Sequence, residues 1–291
     1  MEFKKITLTL FAVIIIAQYA SAGGGWVHTK GKGYFKIGQW WVIADKHYTD
    51  TGQTDPNITM GTFNTSFYGE YGISDRLNAQ IFFPFFSRSF HNETVSLGTG
   101  EVDIEGRAVN SIGDTDIGLK YGLIVGKPIV LSAHFWLGLP LGKNDFDPND
   151  ANTIPLLTGD GEFNQIVGLT ASTAKSFGTV DAFTSLGVEF NNRTNGFSDE
   201  TRVNFEVGTV IKEKLILVYK LRWLNSLKNG DSNVENGASI FSNNSEYLGY
   251  TYEIAYNITK QLGATFNYGA VYSANLIFAN PSYEVGIYFN L

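Results

Sequence analysis

Cysteine is absent from the 291 residues of this sequence, which excludes a disulfide framework, thiol catalysis and thiolate metal sites. Charged residues are scarce, at 17% of the chain, and acidic residues outnumber basic ones to give a formal net charge of −7. This acidic balance argues against nucleic acid as a partner. After residue 22 no apolar run reaches the roughly 20 residues of a transmembrane helix. A membrane-spanning structure would therefore have to be built from strands.

The first 22 residues have the pattern of a secretory signal peptide. Lys4 and Lys5 form a basic region, residues 6–17 are mainly apolar, and residues 20–22 read Ala-Ser-Ala, a typical cleavage site. The apolar run is too short for a membrane anchor. We predict that residues 1–22 are removed on export. We also predict that residues 23–291 form one domain, because no linker or change in composition interrupts them.

Alternation of polar and apolar residues is the dominant pattern. In the segment 113–124, Asp116 and Lys120 alternate with Ile117 and Leu119. A half-buried strand of a soluble protein shows this pattern, and so does a barrel strand whose apolar side chains face lipid. The pattern recurs in twelve segments: 33–48, 59–74, 77–90, 113–124, 128–140, 162–176, 179–192, 200–212, 214–226, 245–258, 261–275 and 280–291.

Connections between these segments alternate in length. Short turns such as 125–128 and 212–214 alternate with long polar loops such as 91–112, 141–161 and 227–244. Outer-membrane barrels have this asymmetry, with short periplasmic turns and longer extracellular loops, whereas a soluble β-sandwich gives no reason for it. Aromatic residues at 14% and 32 glycines also suit strands, turns and interfacial aromatic girdles. We therefore predict an all-β fold, a transmembrane antiparallel up-and-down β-barrel of about 12 strands in a Gram-negative outer membrane.

Several segments resemble a family of Gram-negative outer-membrane β-barrels that is named after a meta-pathway of phenol degradation and lies near the hydrophobic-compound transporters. The matching pieces are IGDTDIGLKYGL, LSAHFWLGLPLGK, TGDGEFNQIVGLTASTAKSFG and DETRVNFEVGTVIKEKLILVYKL. The resemblance covers much of 60–291 and implies a transporter-like barrel for small solutes, among them hydrophobic or aromatic ones. The fatty-acid transporters near this family carry an N-terminal plug. Only about ten residues, 23–33, precede the first strand here, so we do not expect a plugged mechanism.

Strand alternation places many charged side chains in the lumen, where opposed charges would tune selectivity. In the tight hairpin around Glu213, the register sets Glu206 opposite Lys220 and Asn204 opposite Arg222. The alternative is that these charges pair with one another and close the lumen. The predicted lumen and selectivity residues are Lys36, Glu70, Arg88, Asp116, Lys120, Arg202, Glu206, Lys220, Arg222, Glu253 and Glu284.

An apolar constriction is also predicted in the lumen, and the same parity assigns Phe82, Pro84, Phe86 and Trp136 to it. Two strands depart from the alternation. Gln39 falls on the face assigned to lipid, and Ile216 and Val218 fall on the lumen face. A β-bulge or a partly filled lumen would account for either departure.

Candidate catalytic and metal sites are sparse. Ser132 and His134 share one face, but positions two residues apart on a strand lie about 7 Å apart at Cα, which is loose for a nucleophile and its base. Asp145, Asp147 and Asn149 resemble the first half of a calcium loop, but the glycine and glutamate required later are missing. We expect no enzymatic activity, no cofactor and no resident metal.

The sequence thus predicts a passive outer-membrane channel for small solutes. Expected partners are outer-membrane lipid, the small-molecule solute and the barrel assembly machinery, with no nucleic acid; the oligomeric state is left open. Two alternatives remain: a barrel enzyme that hydrolyses envelope lipid, and a closed structural or binding barrel.

Overall fold

The structure is a computed structural model that describes residues 24–96, 98–144, 154–231, 234 and 240–291. All regular secondary structure in these residues is β-strand. None of the described residues form a helix long and apolar enough to cross a membrane.

The described residues form fifteen strands, and twelve of them build the barrel wall. The barrel strands are β1 (Gly33–Tyr48), β2 (Thr54–Gly72), β3 (Leu77–His91), β7 (Thr115–Ile124), β8 (Ile129–Leu139), β9 (Asn164–Ser176), β10 (Val180–Arg193), β11 (Glu200–Ile211), β12 (Leu215–Ser226), β13 (Glu246–Asn257), β14 (Leu262–Asn275) and β15 (Ser282–Asn290). The others are β4 (Thr94–Val95), β5 (Val102–Ile104) and β6 (Arg107–Ser111). Each barrel strand pairs antiparallel with its neighbours, and β15 returns to pair with β1. The predicted closed barrel of twelve strands is confirmed.

Short turns and long loops lie at opposite ends of the barrel, here called the turn end and the loop end. The turns that join β2 to β3, β7 to β8, β9 to β10, β11 to β12 and β13 to β14 have three or four residues. Gly126 and Gly178 take the left-handed backbone conformation that two of these turns need. The loop end carries the small β4–β5 hairpin and β6, which extends the pairing of β3.

Apolar side chains face outward from the barrel wall and charged side chains face inward, which is the opposite of the arrangement in a soluble protein. Outward-facing Ile37, Leu186 and Ile287 are more than half exposed, whereas inward-facing Glu70 and Lys120 are 3% and 4% exposed. Soluble proteins bury the apolar set and hydrate the charged set. An apolar outer belt around a polar interior is the arrangement of a barrel surrounded by lipid.

The two departures from alternation have separate causes. Gln39 does lie on the outer face, and its Oε1 accepts a 2.6 Å hydrogen bond from Thr65 Oγ1 on the paired strand β2. No β-bulge lies at Gln39, because the register shift of β1 comes later, between Ala44 and Lys46. The hydrogen bond to Thr65 therefore accounts for the polar side chain on the outer face. Val218 is buried in the lumen, and Ile216 packs against the buried cluster of Tyr34, Ala255 and Tyr288. The lumen is partly filled at this level.

A β-bulge in β3 overturns two of the lumen assignments. Between β2 and β3 the register shifts after Thr65, so that an extra residue of β3 is accommodated near Pro84, which lacks the N–H that a regular ladder uses. Beyond the bulge the alternation is reversed. Phe86 is 44% exposed, and the Arg88 guanidinium lies over Phe90, whose ring stacks on outward-facing Phe63. Phe86 and Arg88 therefore face outward, contrary to the sequence prediction.

Candidate functional site

Most charged side chains of the lumen are paired with an opposite charge. The predicted register holds, because Glu206 pairs with Lys220 and Asn204 with Arg222 across β11 and β12. The closest ion pairs among the predicted residues are Lys36–Glu284 (2.5 Å), Lys120–Glu70 (2.7 Å) and Lys220–Glu253 (3.0 Å). Arg202 lies 2.6 Å from Glu200. These pairs line the wall. Each paired cation is neutralised by its carboxylate partner, so it offers little net charge to a passing solute.

The most enclosed pair joins Lys120 of β7 to Glu70 of β2. Both side chains are almost fully buried, and Glu70 also accepts hydrogen bonds from Asn78 (2.6 Å), Gln80 (3.0 Å) and Tyr68 (3.1 Å). Removing one partner of a buried pair costs about 3 to 5 kcal/mol, because it leaves an uncompensated charge. Lys120 and Glu70 are thus structural parts of the wall.

Asp116 and Arg222 are the exceptions among the predicted lumen residues that face inward. Within the described part of the chain, neither forms an ion pair or a side-chain hydrogen bond. Arg222 points into the lumen between Asn204 and Gly249 on the adjacent strands, and its side chain is exposed there. An exposed arginine on the inner face of a barrel means that it borders open space.

A cavity of about 190 Å³ occupies the lumen, and Asn204, which faces Arg222 on the adjacent strand, forms part of its wall, although Asp116 and Arg222 themselves do not. Trp136, His134 and Glu189 form part of its wall, and His134 Nε2 lies 3.3 Å from Glu189 Oε1. Of the four residues predicted to form a constriction, only Trp136 lines the cavity. Phe82 and Pro84 lie on the inner face of β3 but outside the cavity wall.

The segment that precedes β1 closes part of the turn end, contrary to the expectation that it is too short to act as a plug. Gly25 N donates a 2.7 Å hydrogen bond to Ser172 Oγ, deep in the barrel, and the ring of Trp26 meets Phe183 edge-on at 6.3 Å. Gly24 forms part of the cavity wall. Residues 24–32, here called the N-terminal segment, therefore cross from β1 to β9 and β10 inside the wall.

An apolar cluster narrows the loop end. Leu156, from the loop that joins β8 to β9, is fully buried. It packs against inward-facing side chains of the wall: Val42 and Ala44 of β1, Met60 of β2, Val109 of β6 and Phe278 of the loop before β15. Water leaves narrow apolar constrictions readily, and such constrictions can gate a channel. We call this set the Leu156 cluster.

A polar network holds the β8–β9 loop in place. Asp114 Oδ1 accepts a 2.8 Å hydrogen bond from Gly142 N, and its Oδ2 accepts one of 2.9 Å from Asp160 N. Arg193 of β10 binds Glu162 and lies 3.4 Å from Asp160. The loop is therefore fixed to the wall on both sides of the narrowed lumen.

Carboxyl groups of this network bind protons more readily than usual. Burial, reinforced by the neighbouring charge of Asp160, raises the pKa of Asp114 to about 7, although two backbone amides act in the opposite direction. Burial and Asp160 likewise raise the pKa of Glu162, against the opposing effect of Arg193. Docking of the loop is therefore linked to proton binding.

We expect the docked loop to loosen as the pH rises from about 4 to about 7. The docked form holds a proton on Asp114 that the undocked form releases, so docking loses at most about 1.4 kcal/mol per pH unit for this one group. Hydrogen exchange of the Gly142 and Asp160 amides, corrected for intrinsic rates, measures the change. The matched variant Asp114→Asn should weaken this dependence and leave only the contribution of Glu162. Equal protection at pH 5 and pH 8 in the unaltered chain would contradict the linkage.

The catalytic alternative finds no support in the geometry. Ser132 Oγ is buried and has no hydrogen-bond partner, so it does not contact His134 as a nucleophile contacts its base. Among the described residues, no group of three or more His, Asp or Glu side chains could hold a metal ion. Asp145, Asp147 and Asn149, the calcium-like pattern, lie outside the described residues, as does the predicted signal peptide.

Comparison with known proteins supports the fold. The chain is similar to the crystal structure of an outer-membrane channel from Pseudomonas putida F1, with 12% identity over 94% of this chain and 100% of that one and a TM-score of 0.55. It is also similar to the transport unit of the autotransporter AIDA-I from Escherichia coli, with 9% identity, 90% and 91% coverage and a TM-score of 0.52. The NanC porin matches 88% of this chain and 100% of its own at 8% identity and a TM-score of 0.47.

No family model matches the chain. No curated protein matches it either. The resemblance to the phenol-degradation barrels therefore stays a prediction. The structural similarities show that the chain has the closed β-barrel fold of outer-membrane proteins.

Proposed function

We propose that this protein is a passive channel of the Gram-negative outer membrane for small solutes, with the turn end in the periplasm and the loop end outside. The observation that carries the proposal is the exposed, unpaired Arg222 on the inner face, next to a cavity with a mainly polar wall. A lumen that was simply filled would have left no space there. The outer-membrane channel from Pseudomonas putida F1, similar in fold, supports the same function.

Passage through the lumen requires movement at both ends. At the turn end the solute meets the N-terminal segment, and at the loop end it meets the Leu156 cluster. The cavity between them contains Lys120, Glu189 and Asn204, with Trp136 and Tyr68 as its aromatic side chains. This mixture supports solutes that combine polar groups with a small apolar part, so the aromatic compounds implied by the sequence resemblance fit only if they carry polar groups.

Ion selectivity tests the proposal. In planar bilayers we expect discrete openings from the chain without residues 1–22. Replacing Arg222 by glutamine should shift the permeability ratio about fivefold toward cations, because a unit charge contributes about 1 kcal/mol at 4 Å in water. The control is the double variant Lys36→Gln with Glu284→Gln, which removes an inward-facing ion pair and should leave the ratio unchanged.

A folded barrel that gives no openings, with and without the N-terminal segment, would contradict the channel and favour a closed structural or binding barrel. An envelope-lipid hydrolase is not favoured, because Ser132 and His134 do not form a catalytic contact. A hydrolytic activity of the unaltered chain that is lost in Ser132→Ala would favour the hydrolase instead.

A further inference from the structure

Two inward-facing rings of β8 lie over glycines of the neighbouring strands. The Trp136 indole covers Gly118 of β7, and the His134 ring covers Gly168 of β9. The indole atoms nearest to a Cβ placed at Gly118 are Cδ2 at 2.6 Å and Cε3 at 2.7 Å. Because Cδ2 is a ring-fusion atom, the glycine meets the face of the indole and not its edge. Trp136 also lines the lumen cavity, so it presents an aromatic surface there.

Hydrogen-bonding side chains of the cavity wall lie on both sides of β8. Gln80 of β3 faces Gly118, and Glu189 of β10 faces Gly168, so each lies two strands away from β8. Both residues line the cavity. Gln80 is 8% exposed, and its Nε2 donates a 3.0 Å hydrogen bond to Glu70. In the part of the chain that the structure describes, its Oε1 has no hydrogen-bond partner.

The two carboxylates of the cavity wall are also incompletely paired. Glu189 Oε1 lies 3.3 Å from His134 Nε2, and among the described residues no lysine or arginine forms an ion pair with Glu189. Glu206 Oε1 is 3.9 Å from Lys220 Nζ, which lies closer, at 3.0 Å, to Glu253. A carboxylate accepts hydrogen bonds at both oxygens, so the wall offers several acceptors to hydroxyl donors of a solute.

Charges around the cavity disfavour an ionised solute. Lys120, the lysine of the wall, is already neutralised within an ion pair. Glu189 and Glu206 would repel an anion, and Arg222, which faces Asn204 of the wall, would repel a cation. A neutral solute that carries several hydroxyl groups meets neither penalty.

We propose that the cavity binds one neutral, hydroxyl-rich ring, a monosaccharide or a cyclic polyol. The C–H face of the ring would lie on the electron-rich face of the Trp136 indole, and its hydroxyl groups would donate to Gln80 Oε1 on one side and to Glu189 on the other. The volume of about 190 Å³ equals that of about six water molecules, which is the space of a single sugar ring. This inference rests on the proposed channel function and names the solute class that the channel takes.

Saturation-transfer NMR titrations test the site with three probes that share a six-carbon ring: myo-inositol, cyclohexanol and cyclohexylamine. The protein is the folded chain without residues 1–22, in micelles of lauryldimethylamine oxide, because a sugar-based detergent would compete. We expect saturable binding of myo-inositol at least about tenfold tighter than that of either other probe, since only its hydroxyl groups reach acceptors on both sides of the indole.

Three variants address the parts of the site. Glu189→Gln should weaken myo-inositol binding about tenfold, because an amide accepts weaker hydrogen bonds than a carboxylate. Trp136→Leu should weaken it about fivefold, whereas the matched control Trp223→Leu, 47% exposed on the outer face, should not change it. Gly187 lines the cavity, and a Cβ there would have Thr170 Oγ1 as its nearest contact, at 3.0 Å. Gly187→Leu should therefore fill the cavity and abolish saturable binding without removing a hydrogen-bonding group.

Folding of each variant is verified by its electrophoretic shift on heating. Cyclohexanol or cyclohexylamine bound as tightly as myo-inositol would overturn the proposed solute class. The site itself would be overturned if myo-inositol did not bind to the folded barrel, either with the loop end closed or with it opened by Leu156→Asp. Because equilibrium binding needs no conductance, a barrel that opens in bilayers but binds no myo-inositol would count against this site alone. A silent barrel that binds myo-inositol would count against the channel alone.

Discussion

Deleting residues 24–31 should open the turn end and expose the cavity to solvent. The segment is held by the hydrogen bond from Gly25 to Ser172, the contact of Trp26 with Phe183, and the hydrogen bond from Gly31 N to Gly72 O. Each is worth about 1 kcal/mol or more, so the segment stays in place most of the time. Without it, solvent should reach Ser172 of β9 and Ser185 of β10, whose hydroxyl groups share a 2.7 Å hydrogen bond.

The absence of cysteine makes this accessibility easy to measure. In a Ser185→Cys variant, the new thiol lies in the lumen beneath Gly24, and its rate of labelling by a charged thiol reagent reports access from the turn end. We expect the deletion to raise this rate by at least about tenfold, the factor that corresponds to 1.4 kcal/mol. The control is Leu186→Cys, one residue further and 52% exposed on the outer face, whose rate should not change. An unchanged rate at position 185 would show that the segment does not close the turn end.

Leu156→Asp should release the loop end. A carboxylate cannot be buried among Val42, Ala44 and Met60 without a cost of several kcal/mol, so the loop should leave the lumen. A Thr62→Cys reporter, 3% exposed and facing Val42 across the strands, should then be labelled about tenfold faster or more.

The conservative variant Leu156→Met separates the role of this side chain from general damage. Methionine has nearly the volume of leucine and should keep both the packing and the slow labelling. If Leu156→Asp and Leu156→Met are labelled at the same rate, the Leu156 cluster is not a barrier. Since the two constrictions lie in series, conductance should rise most when Leu156→Asp is combined with the deletion of residues 24–31.

Local patterns predicted the barrel well, because period-two alternation and turn length are set by neighbouring residues. The hairpin around Glu213 is an example. Because the position of its short turn fixes the register of β11 and β12, the pairing of Glu206 with Lys220 follows from the sequence. The bulge near Pro84 was not predictable in the same way. It depends on how β3 fits between β2 and the broken β6–β7 strand, and one extra residue was enough to turn Phe86 and Arg88 outward.

The two constrictions were missed because each depends on contacts far apart in the sequence. Signals for both were nevertheless present. Gly24 and Gly25 precede Trp26, an apolar residue that gains little in a solvated tail, and Gly25 must lack a side chain where it passes the Thr170 carbonyl. The pair Leu156 and Leu157 lies in a loop that is rich in aspartate, asparagine and glycine. Unpaired Arg222 could not be distinguished from paired Lys220 by sequence, since only their partners differ.

Because the N-terminal segment runs directly into β1, we expect it to enter the lumen as the barrel closes during biogenesis. The cylinder is completed when β1 joins β15, the last of the described strands along the sequence. A segment that directly precedes β1 can be enclosed as this seam forms, without being threaded into a finished pore. A nascent barrel held open at the seam, as we expect on the assembly machinery, would keep the segment free, and sealing of the cylinder would bring it inside.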